Sequence, residues 1–109
     1  MPIITIKGAK PEWTIEFKRD MVNKIAELAN CDASRVSVWH DTSLWVTANE
    51  NEDQTPPKII VTVEWKSRKG IQNEVAELIY QYFKIRTHQQ IDVIFREIDN
   101  FYYVNGERR

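Results

Sequence analysis

Pro2 is the residue whose chemistry sets the reading of this sequence. It follows Met1 and opens the short apolar run Met1-Pro2-Ile3-Ile4-Thr5-Ile6. Cellular aminopeptidase removes an initiator methionine when the next side chain is small, and proline qualifies. The chain then begins with a secondary amine fixed to the end of a strand. An amine of this kind takes a proton when it is neutral at the working pH. A purely structural reading stands beside it, because proline lacks a ladder N–H and is tolerated at a strand's first position. Other reactive groups are sparse. Cys31 is the single cysteine, and with His40 or His88 it could make a thiol nucleophile, although a buried or incidental thiol is the simpler reading. The two histidines are widely separated and offer no metal-ligand spacing, so neither a metal nor another cofactor is expected.

The totals narrow the classes. At 109 residues the sequence fits a single domain over 1–109, long enough to bury a core though not a large one. A formal net charge of -1 gives no electrostatic footprint for nucleic acid, and the apolar runs are far too short for a membrane span. Met1 to Gly8 lacks the cationic start and long apolar run of a secretory leader. One cysteine cannot form an internal disulfide, which suits a reducing cytoplasm.

The elements that must position Pro2 follow in order. Ile3 to Lys7 reads as a first strand, rich in β-branched residues, broken by Gly8 to Pro11. From about Thr14 to Asn30, Phe17, Met21, Ile25 and Leu28 recur at helical spacing, opposite a charged face. Arg35 to about Trp39 is expected as a second strand, which Leu44-Trp45-Val46 either extends or follows as a further one. Asn49 to Pro57 is a polar loop. Lys58 to Trp65 is the most apolar strand, expected at the sheet's centre. A second helix is expected from Ser67 or Arg68 to Ile85, burying Ile71, Val75, Leu78 and Tyr82, followed by a strand from Ile91 to Ile98. The tail through Phe101, Tyr102 and Tyr103 ends in Asn105-Gly106, a hairpin turn signal.

The order is β-α-β followed by β-α-β, and the halves, about 1–48 and 58–106, resemble each other. Val22-Asn-Lys-Ile-Ala-Glu-Leu28 matches Gln72-Asn-Glu-Val-Ala-Glu-Leu78, and Pro2-Ile-Ile matches Lys58-Ile-Ile. A duplicated βαβ unit gives a two-layer α/β (α+β) sandwich with both helices on one face of a four-stranded sheet. The strands look apolar on both sides: Ile60 backs Ile59 and Val61, and Ile94 backs Val93 and Phe95. A face that two helices cannot cover implies association with further copies, and an obligate oligomer is expected.

Pro2 at the head of strand one, the duplicated βαβ and the terminal aromatic arm resemble the tautomerase superfamily. That group includes 4-oxalocrotonate tautomerase, malonate semialdehyde decarboxylase and macrophage migration inhibitory factor. Val63-Glu-Trp65, Asp92-Val-Ile-Phe95 and Tyr102-Tyr-Val-Asn-Gly106 are more closely similar to a small bacterial family within it. The resemblance spans nearly the whole chain. It implies a β-α-β-β-α-β protomer in a homotrimer, with the amino-terminal proline as general base or acid acting on a small enolisable keto or unsaturated acid. It also implies that Tyr102 and Tyr103 reach a neighbouring subunit's pocket, although interface packing is the plainer role for them.

The required pKa is a matter of surroundings. An α-amine titrates near about 8 and a secondary amine higher, while burial and neighbouring cations lower both. The same cations bind a carboxylate and stabilise an enolate. Parallel pairing within each βαβ unit brings Arg35, at the start of strand two, to Pro2. An antiparallel strand three brings its own end, with Lys66, Arg68 and Lys69, and sends Lys58 to the opposite end. Arg35, Lys66 and Arg68 are therefore the expected binding residues for a small carboxylate. In the superfamily a Lys just after helix one, or an Arg in the next strand, clamps the substrate. Asp32 and Ser37 stand near those positions here, and Asp92 at the corresponding place in the second half, so substrates do not carry over. If Met1 stays, Pro2 is an amide, and a non-catalytic trimeric binding protein of the same fold is the alternative. A ferredoxin-like RNA-binding or regulatory module is disfavoured, because no Arg/Lys-Gly-aromatic motif occurs.

Overall fold

A computed structural model describes residues 1–49 and 53–109. Among these residues four strands form one sheet in the order β2-β1-β3-β4. They are β1 (Ile3–Lys7), β2 (Ser37–Asp41), β3 (Lys58–Trp65) and β4 (Gln90–Glu97), with helices α1 (Pro11–Ala29) and α2 (Gln72–Lys84) between the paired strands. β1 runs parallel to β2 and antiparallel to β3, and β3 runs parallel to β4. The duplicated βαβ architecture is therefore present. A short antiparallel pair, β5 (Tyr103–Val104) and β6 (Glu107–Arg108), closes over Asn105 and Gly106 at φ 51° and 86°. Positive φ at both central residues is what the Asn-Gly pair supplies at least cost.

Period-two alternation sends Ile4, Ile6, Ile59, Val61, Val63 and Trp65 to the helix side, where they are fully buried. From α1 comes Phe17, stacked on Phe83 at 5.6 Å and edge-on to Tyr82 at 5.3 Å. Trp65 stacks on Phe95 at 5.1 Å. On α2 the fully buried positions are Val75, Ile79 and Phe83, with Tyr82 nearly so, while Ile71 and Leu78 are only partly covered. The expected stripe is thus rotated toward Ile79 and Phe83, the side on which Phe17 of α1 stacks.

Several boundaries differ from expectation. Arg35 does not begin a strand: Ala33–Arg35 form a 3-10 turn, started by Asp32, whose carboxylate accepts the Ser34 N–H at 2.9 Å. An Asx-type bond of this kind competes with strand geometry, so β2 starts two residues later. Leu44, Trp45 and Val46 form no strand and are exposed, having no ladder partner among the described residues. A 3-10 turn at Lys69–Ile71 precedes α2. Of the polar loop over residues 49–57, residues 50–52 lie outside the described residues.

The sheet face away from the helices is mixed rather than uniformly apolar. Thr5 lies opposite Thr62 at its centre, flanked by Ile3, Ile60, Ile94 and the 60%-exposed Trp39, with Lys7, Asp41, Glu64, Asp92 and Arg96 around them.

Gly8 ends β1 at φ +90°, and a Cβ there would collide with the main-chain oxygen of Lys58. Both features exclude an L side chain. Gly8→Ala is expected to destabilise the chain by about 1–3 kcal/mol in urea unfolding. An unchanged midpoint would show that the turn does not constrain the β1–β3 approach.

Candidate functional site

The start of β1 lies inside the molecule. Pro2 is fully buried, and its carbonyl accepts the Ser37 N–H at 3.0 Å, continuing the β1–β2 ladder to the chain's first residues. Beside it opens a cleft of about 590 Å³ lined by Met1, Cys31, Asp32, Arg35, Lys66 and Arg68, with Asn30, Val104 and Arg109 completing the wall.

Each cation is held there by local structure. Arg35 closes the 3-10 turn, donating its N–H to the Asp32 carbonyl at 2.9 Å, so its side chain leaves the turn just before β2 meets Pro2. Lys66 and Arg68 sit on the corner between β3 and α2. That corner is fixed from below, because the Ser67 N–H donates to the Asp99 carboxylate at 3.0 Å. Lys66 donates to the main-chain oxygen of Arg109, which draws the tail over the cleft. Arg68 is different: its Nε is buried and has no hydrogen-bond partner among the described residues. A buried donor left unpaired costs about 1–3 kcal/mol, which an incoming acceptor would relieve. Among the described residues on the wall, Asp32 carries the one side-chain carboxylate, and its bonds from the Ser34 N–H and hydroxyl hold it below the usual carboxylate range. Cations therefore outnumber anions around the opening.

These charges act on the amine at the chain's start. The Met1 α-amine is lowered from its ordinary value near 8.0, first by burial, then by Arg68, with smaller contributions from Arg35 and Lys66 and an opposing one from Cys31. The physical reason is that an ammonium group loses hydration and gains positive neighbours.

The structure brings Arg35, Lys66 and Arg68 together with Met1, next to Pro2. Lys69 is not among them, lying 3.8 Å from Glu97 on the outside of the corner. Lys58 stands at the opposite end, 3.1 Å from Asp92. Tyr102 is half-buried and its hydroxyl lies 3.6 Å from the Met1 sulfur of its own chain, whereas Tyr103 is exposed and pairs in the hairpin. Asn30 and Cys31 were not placed here by spacing. The signal for them is Asn30 itself, which ends α1 at φ 52° in the left-handed C-cap conformation and turns Cys31 toward the cleft. No group of three or more His, Cys, Asp or Glu able to hold a metal occurs among the described residues, and no helix among them is long and apolar enough to cross a membrane.

A family model described as "Domain of unknown function (DUF1904)" matches residues 1–109. The structure is similar to that of a DUF1904 domain from Sebaldella termitidis, with TM-score 0.86 and 23% identity, covering 97% of each chain. It is also similar to a macrophage migration inhibitory factor-like protein from Entamoeba histolytica, with TM-score 0.70 and 14% identity, covering 97% of this chain and 96% of that one. A third similar structure is a fused 4-OT asymmetric trimer, with TM-score 0.67 and 13% identity, covering 96% and 94%. The fold is thus one shared with macrophage migration inhibitory factor-like and 4-OT structures. No curated protein matches the sequence.

In protein that keeps Met1, Arg68→Met is expected to raise the titration midpoint of the α-amine, because it removes the largest charge repelling the ammonium form. The pH dependence of amine acylation reads that midpoint. An identical profile in both proteins would place the guanidinium out of reach of the amine.

Proposed function

The chain belongs to the DUF1904 family, and from that premise we propose that it is a tautomerase-like protein acting on a small carboxylate. In this reading Met1 is removed and the Pro2 secondary amine moves a proton on an enolisable keto or unsaturated acid. The observation that carries it is the meeting of Arg35, Lys66 and Arg68 at the cleft beside Pro2, with the Arg68 Nε buried and unpartnered. The cations have two uses. They keep the amine neutral at lower pH, and they hold the carboxylate while stabilising the enolate oxygen that forms as the proton leaves. Met1 itself lines the cleft, so its removal both frees the Pro2 nitrogen and opens room for a ligand.

The second reading is a ligand- or partner-binding protein with the same fold and no catalysis. What favours it is the placement of Met1, whose sulfur meets the Tyr102 hydroxyl while its amide link leaves Pro2 without basicity.

A homotrimer belongs to both readings. Trp39, Trp45, Leu44 and Val46 are exposed on or beside the sheet face that no helix covers, and one structural relative is a trimer. In a trimer the tail, with Tyr102 and Tyr103, would stand near a neighbour's cleft. Light scattering is expected to give three times 12.9 kDa at micromolar concentration, and Trp39→Glu to shift the population toward monomer. A stable monomer in the unaltered protein would sink this assembly.

Activity separates the two readings. Ketonisation of phenylenolpyruvate is expected from processed protein, with a rate that rises as the Pro2 amine loses its proton. Pro2→Ala keeps a primary amine and should be slower without being dead. Protein that retains Met1 should lose the general-base contribution, about 10²–10⁴-fold. Equal rates in all three would remove Pro2 as the base and leave the binding protein.

A further inference from the structure

A second cleft lies at the end of the sheet opposite Pro2, and both of the chain's histidines line it. Its volume is about 690 Å³, and its wall includes Lys10, Trp13, His40, Ser43, Arg86 and His88. These residues come from the β1–α1 connection, the end of β2 and the α2–β4 connection. One side chain ties the floor together. The Gln89 amide donates to the Gly8 carbonyl at 2.9 Å and the Pro56 carbonyl at 2.8 Å, while its own oxygen accepts the Thr87 hydroxyl at 2.9 Å. Three connections are thereby pinned to one another before any ligand arrives.

The polar groups on the wall are also fixed. His40 holds its Nδ1 2.7 Å from the hydroxyl of buried Thr14, which leaves Nε2 as the remaining ring nitrogen. The Arg86 guanidinium lies 3.7 Å over the Tyr82 ring, donates to the Tyr82 carbonyl at 2.7 Å and sits 3.6 Å from Glu16. Lys10 rests 5.3 Å from the Trp13 ring. The lining carboxylate is Asp41, held below the usual carboxylate range by the Ser43 hydroxyl and N–H, and paired with Lys7 at 3.8 Å. Among the described residues that line the cleft, one occupied carboxylate thus faces two cations and two imidazoles, the Ser43 and Thr87 hydroxyls being turned to Asp41 and Gln89.

We propose that this cleft is a second ligand site, separate from the one beside Pro2, and that it takes a small phosphate monoester. A phosphate presents three strong acceptor oxygens, and an ammonium, a guanidinium and imidazoles are its natural donors. The volume exceeds what phosphate alone fills, and the Trp13 ring offers an apolar wall to the esterified part. The other charged groups at the site are Lys10, Arg86 and Asp41, with Lys7 and Glu16 behind them.

The test is a titration of the full chain with inorganic phosphate and with glycerol 3-phosphate, followed by the imidazole C–H resonances of His40 and His88. Both resonances are expected to move saturably at millimolar ligand. Lys10→Gln and His88→Gln should each weaken binding by about fivefold or more, while Arg68→Met in the other cleft leaves it within about twofold. Two outcomes overturn the proposal: movement reproduced by sodium chloride at equal ionic strength, or no saturable movement. A third is binding that Arg68→Met abolishes and the other two variants leave intact, which assigns the anion to the Pro2 end.

Discussion

The antiparallel pairing of β1 with β3 is the constraint on which the site depends. Ile3 opposite Glu64 puts the end of β3 beside the start of β1, so the corner carrying Lys66 and Arg68 arrives next to Pro2. The parallel pairing of β1 with β2 does the same for Arg35, since Ile3 lies opposite Ser37 and the Pro2 carbonyl extends the ladder. A shift of one residue in either register would turn Ile4 and Ile6 out of the core and carry the cations past the cleft. Burial of the apolar alternation and assembly of the cationic opening are therefore set by the same hydrogen bonds.

The two ends of the sheet are consequently unlike. At the Pro2 end, strand ends, a C-cap and the returning tail leave a cleft whose charge balance favours an anion and disfavours a protonated amine. At the far end, Gly8, Gln89 and Pro56 lock three connections around the histidines. The pseudo-twofold relation explains the contrast. Each βαβ unit contributes the start of its first strand to one end and the start of the other unit's first strand lies at the opposite end. Lys58, the counterpart of Pro2 in the repeat, thus neutralises Asp92 far from the candidate amine.

Much of this was legible in the residues. Alternation in Lys58–Trp65 and helical spacing in Phe17, Met21 and Ile25 carry the element order, and the direction of each strand then places Arg35, Lys66 and Arg68 without side-chain detail. What was not legible depends on contacts remote in sequence. Lys69 is diverted by Glu97 from another strand. Arg109 reaches the cleft through the tail hairpin, where its N–H meets the Tyr102 carbonyl, and through Lys66, which bonds its main-chain oxygen. The α2 stripe turned toward Ile79 and Phe83 because Phe17 of α1 packs there. His40 and His88, too distant in sequence to suggest a common site, line one cleft, the first from β2 and the second from the α2–β4 connection that Gln89 pins to Gly8 and Pro56.

The central claim is that a proline amine, and not an amide, stands at the cationic cleft. Intact-mass spectrometry of the chain isolated from the cell that makes it tests this most directly. The account predicts a mass smaller by one methionine residue, with Pro2 as the amino terminus. A mass that still includes Met1 would contradict it.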